Sequence, residues 1–214
     1  MKYWMPAIRF KILMTILLGL AYPFVITGIS QAALPRQANG DFVSRGGQLV
    51  GSVLIAQNFE KEVYFWPRPS AVGHNPLPSG GSNLGQASQA LKEVVDGRRA
   101  KLKAAHLDQA GEPPQDLLFA SASGLDPHIS PEAAQYQLNR VVKARNLSAE
   151  QVQKLVNDAS EPRQLGIFGE PTVNVLALNV ALDKAQGIES APVLAPVAET
   201  TPATSTNSSP SETQ

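Results

Sequence analysis

Two short segments carry residues whose types and spacing can do chemistry. The first is LPSGGSNLGQ, residues 77–86. Gly80 and Gly81 leave backbone N–H groups open to close approach, Ser79 and Ser82 add hydroxyls, and Gln86 adds an amide. A helix is predicted to begin at Leu84 with Ser82 or Asn83 as its cap. The positive end of that helix would point at the same place, which is how a backbone site for an anion or phosphate is built. The second segment is ASASGLDPHIS, residues 120–130. Asp126 and His128 are a candidate pH-sensitive or ion-contacting pair. From the residues alone the plainer readings are preferred. The first segment is then a turn and helix cap; in the second, Asp126 organises the turn before Pro127, and His128 is a surface or interface residue.

No catalytic constellation stands out elsewhere. His74, His106 and His128 are not spaced as metal ligands on one element, so no metal site and no catalytic residue is assigned. There is no Gly-x-Ser-x-Gly, no Walker loop, no dinucleotide fingerprint and no cysteine at all. The 18 basic and 18 acidic residues balance to a formal charge of zero, and aromatics are 6% of the chain. No basic stripe or stacking surface is present, which argues against nucleic acid as a partner.

The element that positions all of this is an apolar segment. Residues 12–34 hold no charged side chain and are bracketed by Lys11 and Arg36. As a helix the segment crosses roughly 30 Å of hydrocarbon. It exceeds the usual core of a cleaved signal peptide, although SQAA at 30–33 offers small residues for cleavage. Lys2, Arg9 and Lys11 place the leading tail, 1–11, in the cytoplasm of a single-pass inner-membrane protein, and the main domain, 35–187, outside the cytoplasm. From residue 188 to 214 the chain turns to Pro, Ser, Thr and Ala, a composition that reads as a disordered tail.

Within the domain, LVGSVLIA (49–56) reads as a buried strand and VYFW (63–66) as a second one, ended by Pro67 and Pro69. Residues 73–81 read as loop and GEPPQ (111–115) as a turn. Leu84, Ala87, Leu91, Val94, Val95 and Leu102 give the helix after the glycines one apolar face. Ser130-Pro131 is a cap followed by proline at the first helical position, and Ser148 with Gln151 fits a capping box. These two helices are separated by little more than Asn146 and Leu147, so they form a tight pair. VNVLALNVALDK after Pro171 favours a helix, with a strand still open. Strands at the front and helices behind predict an α+β domain.

At these blocks the chain resembles the C-subunit family of the bacterial Kdp potassium-transporting ATPases. The resemblance rests on an ordered series: the single span ending near LPRQANG (34–40), then GSVLIAQNF (51–59), YFWPRPSA (64–71), NPLPSGGSNLG (75–85), ASGLDPHISPEAA (122–134), RVVKARNLS (140–148) and GEPTVNVLALNVALD (169–183). Trp66 and His74 depart from the residues usual in that family, histidine or glycine at the first position and tyrosine at the second.

The resemblance implies an accessory subunit of a high-affinity, ATP-driven potassium uptake complex, not an enzyme by itself. Its implied partners are a potassium-channel-like subunit, a P-type ATPase subunit and a small single-span subunit. It implies a role in complex assembly and one as a catalytic chaperone that raises ATP affinity in the pump subunit. LPSGGSNLGQ is likened there to the signature motif of ABC transporters, which makes ATP the implied cofactor and Ser79, Gly80, Gly81, Ser82 and Gln86 the implied nucleotide-binding residues. Asp126 and His128 stand as partner-facing candidates. Topology pulls the other way: an outward loop does not meet cytoplasmic ATP, so an effect on ATP affinity would act through a conformational equilibrium. An anchored or secreted ligand-binding module is the main alternative, and a tethered hydrolase is a third.

Overall fold

The computed structural model describes residues 3–45 and 47–188; the tail expected from 188 onward lies, beyond Ile188, outside the described residues. The chain opens with one continuous helical rod, Trp4–Ala33. It consists of α1 (Trp4–Ile16), a wide π-helical turn (Leu17–Ala21) and α2 (Tyr22–Ala33). The wide turn has a local cause. Pro23 has no N–H to donate, and in an unbroken α-helix its ring meets the carbonyl of Gly19. No residue of the rod is buried against protein, and apolar side chains lie on every side of it. That is the pattern of a helix whose solvent is lipid. The rod begins well before the expected start at Ile12. Its 30 residues are about 45 Å long, more than the ~30 Å that a hydrocarbon layer requires.

The rod ends where Leu34 leaves helical geometry and Pro35 opens a single turn, α3 (Pro35–Ala38). Gly40 and Asp41 then take left-handed backbone angles. Asp41 is held by the Arg36 carbonyl at 3.0 Å and the Arg36 Nε at 2.9 Å. A hairpin follows: β1 (Phe42–Arg45) pairs antiparallel with β2 (Gln48–Ser52). Ser52 donates to the Gly40 carbonyl at 2.6 Å and Val53 N–H to the Asp41 carbonyl at 3.2 Å, so the hairpin is stitched to the helix exit. The strand expected over 49–56 therefore exists only in its first half.

Between α4 (Gln89–Ala105) and the C-terminal half lie a short turn, α5 (Gln115–Leu118), and β3 (His128–Ile129). Then come α6 (Pro131–Arg145), α7 (Ala149–Asp158), β4 (Ser160–Glu161), β5 (Thr172–Asn174) and α8 (Val175–Ala185). The small sheet runs β3-β5-β4, all antiparallel. The helix pair is bounded as its local signals require. Ser130 accepts from Ala133 N–H at 3.0 Å, Asn146 closes α6 in the left-handed conformation, and Ser148 and Gln151 complete a reciprocal capping box. VNVLALNVALDK resolves into both options: its first residues are β5 and the rest is α8. Asn174 sits at the junction and caps α8 by accepting from Ala177 N–H at 3.0 Å. Ile129, Ala134, Leu138, Val141, Val152, Val173, Leu176, Leu178 and Leu182 form the centre of the core. The class is α+β as expected, but the strands are distributed along the chain and are not gathered at its front.

Two expectations need correction. The helix after the glycines starts at Gln89, capped by Ser88, and not at Leu84. Asn83 has a φ of 51°, a left-handed geometry that cannot lead directly into a helix, so the chain makes a further turn first. Leu84 is consequently exposed, as is Val94, while Val95 and Leu102 are buried. The second correction concerns residues 63–66, which pair with no strand among the described residues.

Candidate functional site

Residues 62–66 run between α6 and α8, and side chains on those helices replace the ladder a neighbouring strand would supply. Phe65, with no exposed surface, donates its N–H to Asn179 Oδ1 and accepts at its carbonyl from Asn179 Nδ2, both at 2.9 Å. Trp66 does the same with Gln137, at 2.8 and 3.1 Å. Two amide side chains thus mimic the donor–acceptor face of a strand. Arg140 donates to the carbonyls of Tyr64, at 3.0 Å, and Glu62, while Arg145 Nε donates to the Val63 carbonyl at 2.6 Å. The groups of the buried Tyr64 and Phe65 would otherwise be left without a partner, at about 1–3 kcal/mol apiece.

The clamp is itself braced by charge. Arg145 and Asp183 form an ion pair at 2.7 Å with side chains only 2% and 1% exposed. Tyr64 donates its hydroxyl to Asp183 at 3.0 Å, and the Arg145 guanidinium lies 4.8 Å from the centre of the Tyr64 ring. Arg140 stacks on Trp66 at 4.3 Å and donates Nε–H to His106 Nε2 at 2.9 Å. His106 Nδ1 in turn lies 2.7 Å from the Leu102 carbonyl, so it carries the proton and Nε2 is the acceptor. Burial, above all, lowers the His106 pKa from 6.5; the Leu102 bond opposes this and the Arg140 charge adds to it. Burial also pulls Arg140 down to about 10, which leaves it protonated at neutral pH. None of these clamp residues was singled out from the sequence. The one legible signal was polar residues at helical spacing inside otherwise apolar helices, Asn179 with Asp183 and Gln137 with Arg140.

Past the clamp, three loops meet at Gly124. Its φ is +70°, and a Cβ there would come within 2.7 Å of Val72 Cγ2 and 2.9 Å of both the Gly80 carbonyl and Ser70 Oγ. Gly80 donates its N–H to the Ser123 carbonyl at 2.9 Å, and a Cβ on Gly81 would stand 3.0 Å from the Ala122 carbonyl. The two segments read as separate candidates are therefore neighbours, with Gly81 and Gly124 at the close approach and Gly80 joined across it through its N–H. Ser79, Ser82 and Gln86 are exposed around them. No helix begins behind Gly80 and Gly81, so the dipole expected to favour an anion there is lacking.

Asp126 and His128 do come together. Asp126 accepts from His128 N–H at 3.0 Å and from Arg68 Nη1 at 2.8 Å, and its carboxylate lies 3.7 Å from His128 Nδ1. Asn174 Nδ2, 3.4 Å from His128 Nε2, donates to the Val53 carbonyl at 2.8 Å. Val53 is bonded to Asp41 at the end of the membrane-type helix. A continuous polar path therefore runs from the helix exit through Val53, Asn174, His128 and Asp126 to Arg68.

Residues 4–184 match the family described as KdpC, the K+-transporting ATPase c chain. A potassium-transporting ATPase KdpC subunit from Geobacter sulfurreducens is 52% identical over 187 residues, covering 86% of this chain and 98% of the relative. KdpC subunits from Burkholderia mallei and Burkholderia pseudomallei are each 50% identical over 184 residues, covering 85% of this chain and 95% of theirs. The chain belongs to the KdpC family. It is a component of a potassium-transporting ATPase complex, with one helix suited to membrane association. The match to the KdpC family takes in the rod, the hairpin, the clamp and the loop cluster together, and ends at α8.

Proposed function

We propose that this chain is the non-catalytic assembly subunit of an ATP-driven, high-affinity potassium uptake complex. Its rod spans the inner membrane with the short leading tail in the cytoplasm, and the domain of 35–187 stands outside. The observation that carries this reading is the family match across both the rod and the domain, joined to a rod that buries nothing against its own domain. A helix so exposed has its whole surface available to lipid and to other spans. The partners are a potassium-channel-like subunit, a P-type ATPase subunit and a small single-span subunit. The positive residues Lys2, Arg9 and Lys11 support the orientation.

In this reading the chain raises the ATP affinity of the pump subunit allosterically, not by touching nucleotide. The path from the helix exit through Val53 and Asn174 to Asp126 supports it, because it links the membrane segment to the loop cluster through hydrogen bonds. Ser79, Gly80, Gly81, Ser82 and Gln86 then form a structural or partner-facing loop, with Asp126 and His128 beside it. The deciding experiment introduces a cysteine at the exposed Ser82 and applies a membrane-impermeant thiol label to intact cells. Labelling from outside is expected. Labelling only after the cells are opened would overturn the orientation and restore direct ATP contact. Deleting the gene should abolish growth at very low external potassium; unchanged growth with an intact complex would remove the assembly role.

A further inference from the structure

Beside the clamp is a cleft of about 280 Å³ lined by Phe59, Trp66, Arg68, His74, Arg98 and Lys101, among others. Its charges are unevenly matched. Arg68 is paired with Asp126 through Nη1, yet among the described residues its buried Nε has no hydrogen-bond partner, and neither has the buried Nδ1 of His74. Arg98 has one polar bond, to the Leu118 carbonyl at 2.8 Å. Lys101 rests its ammonium 5.3 Å from the centre of the Trp66 ring. Among the described residues no carboxylate lies within ion-pairing distance of Arg98 or Lys101, although their α4 neighbours Arg99 and Lys103 are matched to Asp96 and Glu112. The one acidic residue on the cleft wall is the exposed Glu60.

A guanidinium half withdrawn from water, an ammonium held over a ring and the buried Arg68 Nε–H define one kind of deficit, which an anion with several acceptor oxygens supplies. His74, whose Nε2 faces the Arg68 carbonyl at 3.3 Å, turns an accepting Nδ1 that a hydroxyl or ammonium of the same ligand would meet. The walls around these groups are Phe59, Trp66, Pro67, Pro69 and Leu117, so the cleft also has apolar surface for the body of a ligand. Burial lowers the Arg98 pKa from its ordinary value, which is the sign of a cation desolvated without compensation.

We infer that this cleft binds a phosphate-bearing small molecule or headgroup, with Arg98 and Lys101 as its charged anchors. The site is separate from LPSGGSNLGQ, whose glycines are occupied with the 121–124 loop. It draws its walls from residues 58–74 and 98–117 and needs no partner subunit to be complete. Glu60 at the rim disfavours ligands of high negative charge and suits one that also presents a hydroxyl or ammonium group.

The chain carries its own reporter. It has two tryptophans, Trp4 and Trp66. In the full-length chain, Trp4→Phe leaves Trp66 alone, and an anion that draws Lys101 off the ring changes its emission. The experiment titrates inorganic phosphate against the detergent-solubilised chain, with sodium chloride at matched ionic strength as reference. A saturable change with phosphate and none with chloride is expected. Arg98→Gln should weaken it about tenfold or more, as loss of one charge-assisted bond implies, and Lys101→Gln, which also removes the ammonium that the emission reports, should weaken phosphate binding by as much when it is followed by calorimetry. Lys154→Gln, on an exposed α7 pair with Asp158, should leave it unchanged. Lys101 is exposed, so its variant keeps the fold even where loss of the Arg98–Leu118 bond disturbs it. Repeating the titration in phosphatidylglycerol and phosphatidylcholine nanodiscs separates the sources. Phosphate binding weaker in either bilayer than in detergent identifies a lipid headgroup as occupant, and binding in both bilayers equal to that in detergent identifies a free phosphate compound. No saturable change, or one that survives in the Arg98→Gln, Lys101→Gln double variant, would overturn the inference.

Discussion

Asn179→Leu is the most direct test of the clamp. The side chain is fully buried, and leucine keeps its branched outline but is larger, so the change removes hydrogen bonds and adds some overpacking in the same direction. It leaves Phe65 N–H and C=O, each now bonded at 2.9 Å, without partners in a residue that has no access to water. At about 1–3 kcal/mol for each unsatisfied group, the loss is about 2–6 kcal/mol. That is a large share of the roughly 5–15 kcal/mol that holds a domain together. With a urea slope of about 1–3 kcal/mol per molar, the unfolding midpoint should fall by about 2 M. The assay is urea unfolding of the full-length chain in neutral detergent, followed by the fluorescence of Trp66, which adjoins Phe65. Asn157→Ala, on the exposed face of α7, serves as the reference. A midpoint shift no larger than that of Asn157→Ala would refute the reasoning, since it would mean that 62–66 finds other partners. Asn179→Asp supplies a second sign. The buried acid can donate to the Phe65 carbonyl only while protonated, so this variant should lose stability as pH rises through its raised pKa.

Three further outcomes follow from the same geometry. Gly124→Ala should destabilise by more than about 1 kcal/mol, because a left-handed residue gains a Cβ that collides with Val72, Ser70 and the Gly80 carbonyl. Gly80→Ala, whose Cβ meets open space, should be close to neutral, and thermal midpoints of the two compare them. Asp183→Asn should cost about 3–5 kcal/mol in urea unfolding, because it leaves the Arg145 charge buried without its counter-charge. Folded His106 is held neutral with its pKa below 6.5, so its share of stability is complete above about pH 6.5 and declines as the pH falls below it. His106→Gln keeps an acceptor for Arg140 and removes that titration. The acid decline should flatten in part; His74, whose pKa burial also lowers, shares the remainder with carboxyl groups such as Glu112 and Glu150, whose pKa values their hydrogen-bond partners lower.

What could be read in the chain beforehand was what nearest neighbours decide. The apolar run after Lys11 needs no tertiary context to demand lipid, and the rod Trp4–Ala33 is unburied throughout. Ser130-Pro131 and Ser148 with Gln151 bond within three residues, so their helices begin where the spacing says. The same logic misplaced the start of α4, because Ser82 and Ser88 are equally good caps and only the left-handed turn at Asn83 selects the second. Residues 63–66 have the composition of a strand, and most of their backbone groups are bonded, but by side chains of Gln137, Arg140, Arg145 and Asn179, at separations of 71 to 114 residues. A propensity argument detects the need for such bonds and is blind to who supplies them. The glycines of LPSGGSNLGQ likewise advertise close approach without naming the approaching group, which proved to be the 121–124 loop. The cleft beneath Trp66 was invisible for the same reason: Arg68 and Arg98 come to one wall only after packing, and whether a cation is matched is a property of its surroundings in space. Local hydrogen bonding and transfer to lipid are short-range in sequence and were therefore legible. The clamp, the loop cluster and the unmatched charges depend on contacts that only the folded chain creates.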